Sequence, residues 1–369
     1  MSGPEGVAET AGAGAIAPPS PSRLERFLQY LRAHPILCLA ILTPGLPEYL
    51  STSTPVLNLV ANPFWFFLGL AINVGQYTAG ALLIREAVIR WKKGWGTLFL
   101  LALAYGITEE GLGDNTLFNN THHVDGTLGV YGHFLGVNWV WSMGVLSFHV
   151  IYSIGLPILL LGLALPATRG RRLIGRQGIY VALGSLAAST ALETILVWGE
   201  YRFWMGIPIL VGALLVIGGL VFAARRVPAN FWEPRSPTAS TGSGTVFAAG
   251  FLFFPALFLL EYGVSTYGVP PALVILAELV VLGILLEYLR RTIGQRGNER
   301  PLVDLAFGFV AWQAVFGFLL TLGLPYTVPL IVVAVLFFAR LRRAYPVRAL
   351  DPVSPGVGSI PPGAQANIP

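Results

Sequence analysis

Apolar residues run along the chain in long blocks, and polar positions fall between the blocks instead of alternating within them. A helix that crosses a bilayer needs about 20 predominantly apolar residues, with a range of ~17–25. That criterion predicts ten spans, at 35–52, 63–84, 95–112, 139–165, 178–198, 204–223, 246–264, 270–289, 302–323 and 325–340. Pro44 and Pro47 interrupt the first, and the last is short. The fourth is long and contains Pro157, which removes a backbone donor and crowds the preceding turn, so a kink is expected there. Both ends of the chain lack such blocks. Residues 1–33 and 345–369 are rich in small residues and proline and read as disordered tails around one ten-helix domain, 34–344. The first apolar block begins near Pro35 with no convincing small-residue cleavage site after it, which argues against a signal peptide.

Basic residues orient the spans, because lysine and arginine accumulate in cytoplasmic loops. With the N-terminus inside, the inner segments hold Arg23, Arg26 and Arg32, then Arg85, Arg90, Lys92 and Lys93, then Arg169, Arg171, Arg172 and Arg176. Arg225, Arg226 and Arg235 follow, then Arg290, Arg291, Arg296 and Arg300, and finally Arg340, Arg342, Arg343 and Arg348. Of the 23 lysines and arginines, only Arg202 falls outside. Adding or dropping one span scrambles this order. Trp139 and Trp141 at the outer end of the fourth span, and Trp91 and Trp95 before the third, fit interfacial aromatic belts.

Composition agrees with this reading. Charged residues make up 11% and apolar ones 54%, where soluble domains carry roughly a quarter charged residues. The fold class is therefore all-α, a polytopic transmembrane bundle of about ten spans in the plasma membrane, with both termini cytoplasmic. The lipid bilayer is its expected partner. The net charge of +5 does not indicate nucleic acid, because the basic residues sit in short loops between apolar blocks. No Gly-x-x-x-x-Gly-Lys pattern is present, so no nucleotide is expected. The single cysteine, Cys38, excludes an intrachain disulfide and a cysteine-based zinc site.

Candidate chemistry rests on polar residues inside spans, which are costly there and face the bundle interior. At about 1.5 Å per residue, Glu109 and Glu110 lie some 20 Å above the inner start of the third span. Glu48, Glu193 and Glu261 come out at similar outer depth, and Glu278 lies ~12 Å below the outer start of its own span. The result is an expected outward-facing acidic pocket. In the fourth span Asn138, Ser142, His149 and Ser153 share one face, and in the fifth Ser185, Ser189 and Glu193 do. Small hydroxylated residues at such spacing also serve helix–helix contact. Two adjacent carboxylates cannot both ionise cheaply in a low dielectric, a property that suits a general base or a proton carrier. Glu109, Glu110 and His149 are the candidate catalytic residues, and Glu48, Glu193, Glu261 and Asn138 the candidate substrate- or ion-binding ones. In the outer loop, His122, His123, Asp125 and His133 are candidate ligands of a divalent metal ion, although no cofactor is certain and the adjacent histidines suit one tetrahedral site poorly. Glu-Tyr recurs at Glu48-Tyr49, Glu200-Tyr201 and Glu261-Tyr262, a weak sign of an internal repeat.

Gly106-Ile107-Thr108-Glu109-Glu110, followed about forty residues on by Phe148-His149, resembles the CAAX-protease and bacteriocin-processing family of intramembrane proteases. The resemblance implies that Glu109, Glu110 and His149 activate water for peptide cleavage. The chain departs from the family pattern in three places. Asp114 stands where the family has an arginine, Phe148 is adjacent to the histidine instead of four residues before it, and no histidine follows His149. Three functions remain open on the residues alone: a membrane-embedded hydrolase, a secondary transporter or ion-coupled permease, and a structural or assembly protein without catalysis. Reporter fusions after Lys93, Arg172, Arg226 and Arg296 are expected to read cytoplasmic, and fusions near Asp125 and Tyr267 external. A cytoplasmic signal at Asp125 would overturn the orientation.

Overall fold

The computed structural model describes residues 22–54, 58–122, 126–231, 242–292, 299–321 and 327–346. In chain order the longer helices are α1 (Arg23–Ala33), α2 (Pro35–Pro44 continued by Gly45–Tyr49), α3 (Pro63–Arg90) and α4 (Trp95–Gly106 continued by Ile107–Gly113). They are followed by α5 (Trp139–Ala164), α6 (Arg176–Tyr201), α7 (Gly206–Arg226) and α8 (Ser243–Val264). The last are α9 (Pro271–Thr292), α10 (Arg300–Leu320) and α11 (Thr327–Ala344). Among the described residues the only strands are a two-residue antiparallel pair before α5, with His133 opposite Asn138. The fold is an all-α bundle.

Among the described residues, seven helices, α3 and α5 to α10, are long and apolar enough to cross a membrane. Their surfaces carry exposed apolar side chains, including Val181, Ile207, Leu215 and Ile284, that water would not tolerate in such number. The three remaining predicted spans coincide with α2, α4 and α11, which stand apart for identifiable reasons. Helix α2 has ten residues of regular helix and a five-residue wide turn. Glu109 and Glu110 occupy the end of α4, and Arg340, Arg342 and Arg343 fall within the 18 residues of α11.

Residues 23–33, assigned to the tail by composition, form α1. Apolar-block length was the wrong signal for this segment, because local capping starts the helix. Ser22 accepts from the Glu25 backbone N–H, and Glu25 accepts from the Ser22 N–H at 2.7 Å. Those Ser22 hydrogen bonds, the backbone one foremost, hold the exposed Glu25 carboxyl below its ordinary pKa. Residues before 22 and after 346 lie outside the described residues.

Among the described residues, five helices widen locally into i→i+5 turns, at Gly45–Tyr49, Val74–Thr78, Ile107–Gly113, His149–Gly155 and Leu259–Val264. The Leu50 N–H bonds Gly45 O at 2.9 Å and the Asp114 N–H bonds Glu109 O at 2.8 Å, both across five residues. Proline or glycine stands at or near each turn: Pro44 and Pro47, Gly75, Gly106 and Gly111, Gly155 and Pro157, and Pro255. Proline cannot donate the regular bond and glycine holds the regular helix least firmly, so these are where a helix yields. The kink expected at Pro157 is therefore a wide turn just before it.

Helix α5 is the central post. In its apolar stretch 67% of residues are buried, against 11% in α7 at the periphery. Tyr152, Leu156, Leu160 and Leu163 of α5 pack into one core with Phe253 and Phe254 of α8, Phe309 of α10 and Phe338 of α11. Ile154 and Leu161 of the same helix pack into a second core with Leu39, Tyr77, Leu82, Leu101 and Tyr105 of α2, α3 and α4. At the end rich in arginine, two buried carboxylates act as clamps. Glu86 accepts from Arg90 at 3.1 Å and from the Leu173 N–H at 2.6 Å, while Arg85 donates to Thr168 O at 2.5 Å. Asp304 pairs with Arg300 at 2.9 Å and Arg342 at 2.7 Å, tying α10 to α11. Helices α8 and α10 meet backbone to backbone. A Cβ on Gly250 would collide with the Leu305 carbonyl, and one on Gly308 with the Phe247 carbonyl. Gly308→Ala is therefore expected to lower stability by about 1–3 kcal/mol, measured as the unfolding midpoint in detergent. Gly283→Ala on α9, where a Cβ meets nothing within 4 Å, is the matched control and should change little.

Candidate functional site

The wide turns of α2, α3, α4 and α5 each deliver a polar side chain to one place. Glu48 comes from α2, Gln76 and Tyr77 from α3, Glu109 and Glu110 from α4, and His149 from α5. A widened turn shifts the helical register by one residue, so a helix that is apolar elsewhere can turn a polar residue inward. Such turns are frequent at functional sites for that reason.

His149 is the hub, and it is 1% exposed. Its Nε2 lies 2.7 Å from Glu110 Oε1 and 2.9 Å from Glu109 Oε2. Its Nδ1 is 3.0 Å from the Ser153 hydroxyl, one turn further along α5. The outer oxygens of the two carboxylates are held in turn. The Tyr77 hydroxyl lies 2.9 Å from Glu109 Oε1 and 2.6 Å from Glu48 Oε1, and has one hydrogen for the two acceptors. The Thr116 hydroxyl donates to Glu110 Oε2. Thr54 donates to the other oxygen of Glu48 at 2.9 Å. The imidazole ring is boxed by Tyr77, with ring centroids 6.1 Å apart, and by Tyr105 at 6.2 Å. Glu109 and Glu110 are buried, and among the described residues no lysine or arginine pairs with either.

Glu193 of α6 forms an outlying arm. It accepts from Gln76 Nε2 at 3.0 Å, and its carboxylate occupies the space that a Cβ on Gly113 would need. Glu261 is elsewhere. It lies near Glu278 of α9, and its carboxylate packs against Gly144 of α5, where a Cβ would displace it. Asn138 is also not in the cluster. Its amide donates to Thr116 O at 2.7 Å and Asn119 O at 3.2 Å, and its oxygen is 2.5 Å from His133 Nδ1, so it fastens the outer loop to the start of α5.

The outer-loop metal candidates are dispersed. His122 lies 3.4 Å from Asp114 and stacks near Tyr201, while His133 is engaged with Asn138. His123 and Asp125 lie outside the described residues. Among the described residues, the group whose donor atoms all fall within 4.8 Å of one another is Glu109, Glu110 and His149. Glu109, Glu110 and His149 are all buried. An apolar groove of about 950 Å³ runs between α4 and α5 on one side and α9 and α10 on the other. Leu146, which lines it, and His149 both bear on Gly106, at 3.0 and 3.2 Å from where its Cβ would stand.

Sequence reasoning did not single out Gln76, Tyr77 or Thr116. The signal available was Gln76-Tyr77-Thr78 in the middle of an otherwise apolar block, the same criterion that selected the glutamates. Comparison with family models, with curated proteins and with solved structures returns no match.

The geometry separates two buried tyrosines. Tyr77→Phe removes the hydroxyl shared by Glu48 and Glu109, and is expected to cost about 1.5–3 kcal/mol of stability, since the bonds it makes are to charged or chargeable groups. Tyr105→Phe removes a buried hydroxyl without a hydrogen-bond partner and is expected to be neutral or slightly stabilising. Equal midpoints for the two variants in a denaturant series would contradict the hydrogen-bond assignment at Tyr77.

Proposed function

We propose that this protein is a membrane-embedded hydrolase in which Glu109, Glu110 and His149 act on one water molecule. The observation that carries the reading is their convergence: both carboxylates lie within 2.9 Å of a single imidazole nitrogen. A catalytic acid–base group must reach the proton it moves, and this trio is within hydrogen-bond reach of a common point. One carboxylate takes a proton from water as the oxygen attacks the scissile carbonyl, and the same group returns it to the leaving atom. His149, oriented by Ser153, holds the water or the developing oxyanion. Glu193 stands outside as a further carboxylate. The resemblance to the CAAX-protease and bacteriocin-processing family, carried by the same three residues, supports a peptide bond as the substrate.

The proposed setting is a ten-span protein of the plasma membrane with both termini cytoplasmic. Helices α2, α4 and α11 are the three spans added to the seven apolar ones, and the distribution of arginine supports the orientation.

A second reading, an ion-coupled transporter, has its own observation. Glu261 and Glu278 form a separate pair of buried carboxyls, which hydrolysis at His149 does not use. Wide turns that bring backbone groups near buried carboxyls also suit ion coupling.

The test uses the purified full-length protein in proteoliposomes with a library of membrane-anchored peptides, and reads cleavage by mass spectrometry. Glu110→Gln keeps the side-chain volume and removes the titratable group, and is expected to lower cleavage by about 10²–10⁴-fold with the protein still inserted. His149→Leu suits an apolar bundle and is expected to impair cleavage more than folding. Wild-type cleavage in Glu109→Gln, Glu110→Gln and His149→Leu alike, or none by the wild type, removes the hydrolase reading.

A further inference from the structure

We infer that the arginine-rich end of the bundle binds one anionic phospholipid, with an acyl chain in the apolar groove and the phosphate in a basic cavity beside it. The site is independent of any chemistry at His149.

The first observation is the lining of the groove. Leucine dominates it, with Phe99, Met143 and Phe309 among the rest. Its two serines have no hydrogen to offer an occupant, because Ser142 and Ser147 donate to the carbonyls of Asn138 and Met143 on the same helix, at 2.7 Å each. Such a wall suits hydrocarbon and would leave the hydrogen bonds of a polar occupant unmade, which is costly. On α9 the lining runs from Leu279 to Arg290, a rise of ~16 Å. One leaflet supplies about half of a ~30 Å hydrocarbon core, so the groove has the length of a single layer of acyl chains.

The second observation is what adjoins it. A cavity of about 420 Å³ shares Trp95, Leu159 and Leu302 with the groove. Arg85 of α3, Lys93 of the link between α3 and α4, and Arg169 of the loop after α5 line this cavity against one carboxylate, Glu299. Arg169 pairs with Glu299, while Arg85 and Arg90 share Glu86. Among the described residues the Lys93 ammonium makes one hydrogen bond, to Val227 O at 2.6 Å, of the three it can donate. Positive charge and donor hydrogens are therefore left over at this place.

The two cavities together select the ligand. A free phosphate matches only the basic cavity, and a neutral lipid matches only the groove. An anionic phospholipid matches both, with its glycerol region at Trp95, the kind of residue found where hydrocarbon meets headgroups. Basic pockets between membrane helices take lipid headgroups in this manner. A chain lying in the groove also ties α9 and α10 to α4 and α5.

The full-length protein, purified in detergent and stripped of lipid, is titrated with phosphatidylglycerol and separately with phosphatidylcholine, and bound lipid is counted by native mass spectrometry. One phosphatidylglycerol per chain is expected, held about 10–30-fold more tightly than phosphatidylcholine. Lys93→Gln is expected to narrow that preference by about 5-fold. Leu286→Trp sets a larger ring into the groove and is expected to weaken both lipids by about 10-fold, since a filled groove has no room for the chain. Arg226→Gln removes a charge at the same end of the bundle, from α7, and is expected to bind as the wild type does. Helical circular dichroism and a monodisperse elution show that each variant is folded. Equal affinity for the two lipids overturns the site, as does unchanged binding in Lys93→Gln. Unchanged binding in Leu286→Trp reduces the site to an anion cavity without a chain and overturns the lipid. A loss in Arg226→Gln equal to that in Lys93→Gln makes the attraction a general surface effect and overturns it too. Inorganic phosphate is expected not to displace phosphatidylglycerol, and displacement by phosphate overturns the lipid as the ligand.

Discussion

A carboxylate buried in a membrane protein must find hydrogen-bond donors or a cation, because lipid offers neither. Glu48, Glu109, Glu110 and Glu193 pose this problem together, and the half of the bundle around them is arranged to meet it. Tyr77, Thr54, Thr116 and Gln76 supply neutral donors, and His149 supplies the one basic group. Those partners come from α3, α5 and the loops after α2 and α4. The position of each element is thus constrained by the acidic residues of α2, α4 and α6. Neutral donors are short and directional, so the elements must approach closely, and glycine recurs where they do. Gly106 lies under His149, and Gly113 lies under Glu193.

The wide turns are the means by which ordinary apolar helices make these contacts. A regular helix presents a polar residue and its neighbours at fixed angles of 100°. Inserting one residue into a turn re-aims the side chains after it without ending the helix. In α4 the turn lets two consecutive glutamates both reach the same imidazole. In α5 it places His149 toward α4 while Tyr152, three residues on, enters the aromatic core of α8 and α10. The cost is a weakened backbone ladder at that point, and the flanking cores on both sides of α5 hold the helix in place.

Much of this was legible in the amino-acid sequence, and the limits follow from physical causes. Long apolar blocks marked the helices because burial in lipid depends on composition over a whole span. Glu109, Glu110 and His149 were legible because charge in an apolar block is expensive anywhere, so its presence needs no neighbours to be informative. What the residues could not reveal was which charges meet. Glu261 and Glu48 have similar calculated depths, yet one belongs with Glu278 and the other with Tyr77, because depth fixes one coordinate and helix packing the other two. Asn138 lay on the polar face with His149, but it starts α5 instead of lining the site, and its hydrogen bonds go to the loop. Tyr77 went unremarked because tyrosine is ordinary in membrane helices, and only its position between two carboxylates gives it a role. Helix α1 escaped notice because a capping box is a local signal that block length does not register.

The relation between the two acidic centres bears on which function the architecture suits. Helix α5 is the element that touches both, carrying His149 at the first and Gly144, which accommodates Glu261, at the second. Five residues separate them, a rise of ~7.5 Å, so they lie on the same segment of one helix. A hydrolase needs only the first centre, and it needs that centre held rigid, which the two cores packed on either side of α5 favour. A transporter needs both centres and a helix free to shift between them. The same packing opposes that shift, since a displacement of α5 would have to break the Tyr152 aromatic cluster on one side and the Ile154 contacts on the other. A post wedged between two cores is better suited to positioning a reactive group than to carrying a load across the membrane, and this favours chemistry at His149 over movement past it.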